Sequence, residues 1–411
     1  MHCVEEIKKG IYWMGCNDFR TALFEHIFPI PNGVSYNSYF IDDDKTVVLD
    51  AMDKSVRDEF IEDVQYLLKG RQLDYLVINH MEPDHAGSLV ALIEKYPQVK
   101  IVSQPQTFKL FEQFYRHPMP ENYVPIKEGD QLALGHHTLQ FIKAPMVHWP
   151  EVIMTYELSE KVLFSADAFG MFGVCGNVFA DQVDFEGAYL DEARRYYVNI
   201  VGKFGPQVMN VLKKASKLPI ELIAPIHGLL FRTPETINMI IEKHLHWAKY
   251  VPEKNGVVIA FSSIYGDTER AVCVLAHKLS ELGVQDIRMY DVAKTHPSYV
   301  TSEAWKYSHL VIASPTYNLN LFLPMESFLH DLKTLIYQNR KIAVIGCHSW
   351  ASVAQKAIVE YVNNFKNCEL LGTPMDIKSS LKDSEEVLLD EMAQTIADSV
   401  KQSPDPSTLI K

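Results

Sequence analysis

The stretch Asn79-His80-Met81-Glu82-Pro83-Asp84-His85-Ala86-Gly87 places four metal-capable side chains, His80, Glu82, Asp84 and His85, within six residues. Imidazole nitrogens and carboxylate oxygens are the common ligands of zinc and of non-haem iron. One histidine near one aspartate is usually a polar surface loop, but four such groups at this spacing point to a metal. Side chains alternate along an extended segment, so His80, Glu82 and Asp84 are expected to share a face while His85 reaches a second metal. Three more candidates each follow an apolar run: residues 141–147 lead to His148, 161–166 to Asp167, and 222–226 to His227. Seven ligands are too many for one zinc and suit two metals that share a carboxylate. Carboxylates take three of the seven places. That mixture favours iron, which also leaves room for a diatomic molecule to bind and be reduced, whereas zinc would point to hydrolysis. His136 and His137, after Gly135, are expected to be solvated, and His244 and His246 to cap or pack at a helix end.

A second chemistry lies further along. The loop Ser262-Ser263-Ile264-Tyr265-Gly266-Asp267-Thr268 offers hydroxyls and backbone N–H groups where a helix begins, which suits a phosphate dianion. It contains neither Gly-Lys-Ser/Thr nor Gly-x-Gly-x-x-Gly, so it is not a Walker loop or a dinucleotide fingerprint. Ser314-Pro315-Thr316-Tyr317-Asn318 and Gly346-Cys347-His348-Ser349-Trp350-Ala351-Ser352 can wrap a flat polar ring with backbone donors and aromatic faces. A phosphate loop without a basic residue, plus a ring held by loops from the third and fourth strands, resembles flavodoxin binding FMN.

The elements that must position these groups follow from periodicity. Residues 75–78 read as a buried strand before the ligand loop, and a helix is expected from Ser88. Strands are expected at 11–15, 35–41, 45–50, 100–103, 132–134 and 138–142, with a helix over 55–68 that Gly70 ends. Strand pairs and strand-helix units suggest two sheets with helices outside. A helix carrying Ile237, Ile240, Ile241, Leu245 and Trp247 closes this part near Tyr250. Beyond a link bracketed by Pro252 and Gly256, strands at 256–261, 287–290, 309–314, 341–346 and near 370–371 alternate with helices. That pattern is a doubly wound parallel sheet, which binds ligands at the carboxyl ends of its strands. The domains are expected at residues 1–250 and 251–411.

Composition sets limits. The chain has 411 residues, too many for one ordinary core, with 47% hydrophobic and 22% charged residues. Net charge is −13 and no basic run occurs, which argues against nucleic acid or an anionic membrane surface as a partner. No apolar run is long enough to span a bilayer and the N-terminus lacks a signal-peptide layout, so a cytoplasmic location is expected. Cys3, Cys16, Cys175, Cys273, Cys347 and Cys368 form no Cys-x-x-Cys pair and are expected to be free thiols.

Taken together, these residues resemble the flavodiiron proteins over nearly the full length. The resemblance implies an α/β fold, a metallo-β-lactamase-like αββα sandwich followed by a flavodoxin-like doubly wound sheet, with FMN and two iron ions as cofactors. It implies that His80, Glu82 and His148 hold one iron, that Asp84, His85 and His227 hold the other, and that Asp167 bridges. Metallo-β-lactamases proper carry histidine at the place of Glu82. The family also sets a histidine and a tyrosine above the irons, for which His26 and Tyr196 or Tyr197 are the candidates. The implied activity is reduction of dioxygen to water, nitric oxide to nitrous oxide, or both, with dioxygen placed first. Full reduction of dioxygen takes four electrons, which two ferrous ions and one reduced FMN hold between them. No domain is expected after Lys411, so electrons come from an external donor: a rubredoxin-like protein, a flavin reductase or reduced deazaflavin. A head-to-tail homodimer, or a homotetramer built from it, is the implied assembly. In it the apolar run 319–324 is an interface, or else the start of a core helix. The alternative from another class is a zinc hydrolase with a flavodoxin-like module.

Overall fold

A computed structural model of the chain describes residues 2–116 and 121–410, in two compact units. One comprises Met1–Tyr197 with Pro206–Glu242, the other Val198–Gly205 with Lys243–Lys411.

The first unit holds two sheets. The larger runs in the order Val4–Lys8, Ile11–Asp18, Val34–Ile41, Val47–Leu49, Tyr75–Val77, Lys100–Ser103 and Val124–Pro125. It is antiparallel up to Val47–Leu49 and parallel thereafter. The smaller joins Gln131–Ala133, Thr138–Lys143, Ile153–Glu157, Val162–Phe164 and Leu222–Ala224, with only the last pair parallel. Alternate residues of the two sheets form one core, including Ile41, Leu49 and Val77 from the first and Phe141, Phe164 and Leu222 from the second. The Tyr39 and Phe164 rings meet across it at 4.9 Å. Helix Arg57–Leu68 covers the larger sheet with Phe60, Val64 and Leu67. Its end comes at Lys69, already left-handed at φ 50°, one residue before Gly70 at φ 85°.

Three local expectations change. The helix expected from Ser88 is preceded by a separate turn, Pro83–Ala86, before Leu89–Lys95. The strand expected to deliver His148 stops at Lys143, and residues 144–152 form a loop closed by Ala144 N–H donating to Val152 O at 2.9 Å. His137 is buried, not solvated. It lies 3.1 Å from Glu157, which sits on the neighbouring strand, and that carboxylate raises its pKa although burial opposes the charge.

The second unit is a parallel sheet in the order Ile287–Asp291, Lys254–Phe261, Tyr307–Tyr317, Lys341–His348 and Glu369–Leu370. This is the flavodoxin-like strand order 2-1-3-4-5. A further strand, Met375–Lys378, continues the edge beside Lys341–His348. Val257, Ile259 and Phe261 pack with helices Asp267–Glu281 and Glu386–Gln402 in one core layer. Helices Pro297–Lys306 and Ala354–Asn364 pack against the same strands. The run 319–324 divides: Asn320–Leu321 turns back on the end of Tyr307–Tyr317, and helix Leu323–Thr334 follows. Leu321 is buried, whereas Leu319 and Leu323 are 58% and 65% exposed. The six cysteines are free, and no helix among the described residues is long and apolar enough to cross a membrane.

Candidate functional site

Strand Val47–Leu49 ends on Asp50, whose backbone turns left-handed at φ 57°. Its buried carboxylate accepts the Asn79 N–H at 2.7 Å, the Asn79 side-chain amide at 2.7 Å and the His80 N–H at 3.3 Å. Asn79 in turn accepts Thr155 Oγ1 at 2.7 Å and, through its carbonyl, Ile153 N–H at 3.0 Å. The ligand loop is thus tied to both sheets just before His80. Val162–Phe164 and Leu222–Ala224 are parallel neighbours, so the chain leaves both at the same rim, toward Asp167 and His227.

The seven candidates come together there in two groups: His80, Glu82, His148 and Asp167, and Asp84, His85 and His227. Within each group the candidate ligand atoms lie within 4.8 Å of one another. His80 Nε2 lies 3.3 Å from Glu82 Oε2 and 3.3 Å from Asp167 Oδ2, and His148 Nε2 lies 2.9 Å from Glu82 Oε2. Asp84 Oδ2 lies 3.1 Å from both His85 Nε2 and His227 Nε2, and His85 Nε2 is 3.3 Å from Asp167 Oδ1. Asp84 therefore leaves the face that an extended loop would give it beside His80 and Glu82. The cause is Pro83, which opens the helical turn Pro83–Ala86 and swings Asp84 and His85 to the far group.

The chemistry of the site fits metal. Asp84 Oδ1, Asp167 Oδ2 and His85 Nε2 are buried without a hydrogen-bond partner, a costly arrangement unless a cation takes their lone pairs. Burial opposes charge on His85, yet Asp84 and Asp167 beside it hold its pKa up at about 10. Burial likewise opposes charge on His80, and Asp167 and Glu151 raise it well above the usual range. These imidazoles hold protons at neutral pH and must lose them to bind metal. Iron(II) or cobalt(II) affinity of the metal-free chain is therefore expected to rise with pH throughout pH 6–9, below the His85 value. Chelator competition would show it, and a flat profile would contradict it.

The other named residues divide. Tyr196 is the tyrosine that reaches the cluster: it is buried and its hydroxyl donates to Asp167 Oδ1 at 2.6 Å. Burial and the Asp167 charge push its pKa well above the usual phenol value. Its ring lies 5.6 Å from His227 and 5.0 Å from Phe172, with Phe24 5.4 Å from both His227 and Phe172. Tyr197 is buried as well. His26 stands exposed at φ 58° on the tip of the hairpin Leu23–Phe24/Phe28–Pro29. No hydrogen bond or ring contact joins it to the seven among the described residues. Its neighbour Glu25 does join them. The residue is exposed overall, but its carboxyl is withdrawn from water against Glu82, and burial with the charges of Glu82, Asp84 and Asp167 pushes it up to about 9. Sequence reading missed Glu25, Asp50 and Glu151, whose Oε1 accepts His80 Nδ1–H at 2.7 Å. Asp50 carried a signal, since it too ends an apolar strand.

In the second unit a crevice is lined by Ser263, Ile264, Tyr265, Asp267, Thr268, Pro315, Thr316, Cys347, His348 and Ser349, together with Ser379, which sequence reading did not name. Gly266 before helix Asp267–Glu281 stands at φ 98°, a left-handed turn that glycine adopts without strain. Ser262 turns inward, its hydroxyl 3.1 Å from that of Ser314. Thr316 Oγ1 accepts the N–H groups of Val353 and Ala354 at 3.1 and 3.0 Å, past Trp350 and Ala351. Tyr317 meets Phe322 edge-on at 5.7 Å, with Asn318 left-handed beside it. Tyr265 and Trp350 are 90% and 79% exposed, aromatic faces left in water that a flat ring would cover. Hydroxyls and a helix start at one end and aromatic faces at the other fit a flavin mononucleotide.

Comparison with known proteins agrees with this geometry. Residues 34–228 match the family model described as ODP family beta lactamase. The chain is 33% identical to a nitric oxide reductase of Moorella thermoacetica, over 90% of this chain and 91% of that one. It is 30% identical to the rubredoxin-oxygen oxidoreductase of Megalodesulfovibrio gigas, over 96% and 98%. The solved rubredoxin oxygen:oxidoreductase of Desulfovibrio gigas superposes with a TM-score of 0.91 at 29% identity, covering 97% of this chain and 98% of that one. The chain belongs to the flavodiiron proteins, oxidoreductases whose cofactors are FMN and a di-iron centre.

Proposed function

We propose that this chain reduces dioxygen to water, nitric oxide to nitrous oxide, or both, with electrons passing from a separate donor through FMN to two irons. The observation that carries the reading is the convergence of seven ligand-type side chains on buried atoms left without partners. On this reading His80, Glu82 and His148 hold one iron and Asp84, His85 and His227 the other. Asp167 bridges, in keeping with its Oδ2 facing His80 and its Oδ1 facing His85. The metal site belongs to the unit Met1–Tyr197 with Pro206–Glu242, and the flavin site to the unit Val198–Gly205 with Lys243–Lys411. A pair of irons held by these residues would supply electrons and Lewis acidity for reduction of the gas.

The remaining work falls to the chain. Tyr196 keeps its proton at neutral pH and steadies Asp167 through the 2.6 Å hydrogen bond. Phe24 and Phe172 close the His227 side to water. A rubredoxin-like protein fits as donor, by analogy with the Megalodesulfovibrio gigas relative. The working unit is a head-to-tail homodimer in which one chain's flavin serves the partner's irons. The exposed Leu319 and Leu323 give the flavin unit an apolar surface that a partner would cover.

The test is direct. Iron- and FMN-loaded protein, photoreduced with a deazaflavin, is expected to consume dioxygen without accumulating peroxide, to convert nitric oxide to nitrous oxide, or both. Consumption of neither gas, or peroxide in full yield, would overturn the reading.

A further inference from the structure

The three deepest imidazoles of the cluster are supported unequally. His80 Nδ1–H donates to the Glu151 carboxylate at 2.7 Å, and both side chains are fully buried. His227 Nδ1–H donates to a neutral carbonyl, Ser35 O, at 2.7 Å. His85 Nδ1 has no hydrogen-bond partner. A carboxylate on the far nitrogen fixes the tautomer and strengthens the near nitrogen as a donor, and a buried charge does so more than a carbonyl dipole.

Glu151 is held for this role. Its Oε1 also accepts Met81 N–H at 3.0 Å, and its carbonyl accepts the Gln104 side-chain amide. Its Oε2 is buried with no hydrogen-bond partner. A half-satisfied buried carboxylate costs free energy, and positive charge on the far side of His80 offsets that cost. Glu151 therefore favours a cation at His80 over one at His227.

Resting on the reading of these seven residues as metal ligands, we propose that Glu151 is a positioning residue that makes the His80 side the tighter metal position, so that the two positions fill in order. The experiment is an anaerobic cobalt(II) titration of metal-free protein, followed by native mass spectrometry and by the cobalt absorption bands. At one equivalent the singly loaded chain is expected to dominate. His227→Ala should keep the tight first step and His148→Ala should lose it. Glu151→Gln keeps the hydrogen-bond acceptor and the shape but not the charge. It should weaken the first step by about 10- to 100-fold and leave the second nearly unchanged. Wild-type protein needs no variant to fold: a statistical mixture of empty, singly and doubly loaded chains, or a jump from empty to doubly loaded, overturns the proposal. A Glu151→Gln isotherm superimposable on wild type also overturns it, since a purely structural role is rescued by glutamine. Failure of wild-type protein to bind cobalt at all would instead remove the metal-ligand reading beneath it.

Discussion

Replacing Asp167 with alanine is expected to cut gas consumption by about 10³-fold or more while FMN occupancy stays at the wild-type level. Asp167 is buried, and its two oxygens face different groups, Oδ2 toward His80 and Oδ1 toward His85. The other carboxylates serve one group each: Glu82 Oε2 faces His80 and His148, and Asp84 Oδ2 faces His85 and His227. Alanine thus strips a ligand from both metal positions and leaves the Tyr196 hydroxyl without its acceptor. Metal-borne stabilisation is worth several kcal/mol, and about 4 kcal/mol corresponds to about 10³ in rate. The flavin crevice lies in the other compact unit and does not depend on Asp167. Iron content, flavin content and gas consumption measured on one preparation check the result. Full iron with more than a tenth of the wild-type rate would remove Asp167 from the centre.

Replacing Thr268 with glutamate is expected to empty the flavin crevice and leave the iron in place. Thr268 is buried in the first turn of helix Asp267–Glu281 and lines the crevice. On the proposed flavin reading, a carboxylate there would face the FMN phosphate. Two like charges about 4 Å apart repel by about 4 kcal/mol near a protein surface, which corresponds to about 10³-fold weaker binding. Each of these two variants alone is expected to be inactive. Co-expressed, a head-to-tail dimer pairs the intact flavin of the Asp167→Ala chain with the intact irons of the Thr268→Glu chain. Part of the activity should return in purified mixed dimers. Mixed dimers that form and stay inactive would place the electron path within a single chain.

The site was legible where residue type alone carries the chemistry. His80, Glu82, Asp84 and His85 announce a metal whatever the loop does. Their division between two groups was not legible from alternation, because Pro83 converts the extended segment into a helical turn. Long-range partners were hidden for a different reason. Glu25 meets Glu82, Asp50 holds Asn79 and Glu151 meets His80 across 29 to 71 positions of sequence, and no local period encodes such pairs. His137 shows the same limit: the partner that lets it be buried stands on the neighbouring strand. The flavin unit was the more readable part, because parallel strands buried on both faces read as continuous apolar runs. Its edge was less so, since the last position is shared by Glu369–Leu370 and Met375–Lys378, both too short to show a pattern.

On the proposed function, the seven-residue cluster holds two irons served by one FMN. Elemental analysis with the visible spectrum of the purified protein tests it most directly. The expected result is about two irons and one FMN per chain, with Glu82→Ala lowering the iron and leaving the flavin. Zinc in place of iron in a fully active protein would contradict it.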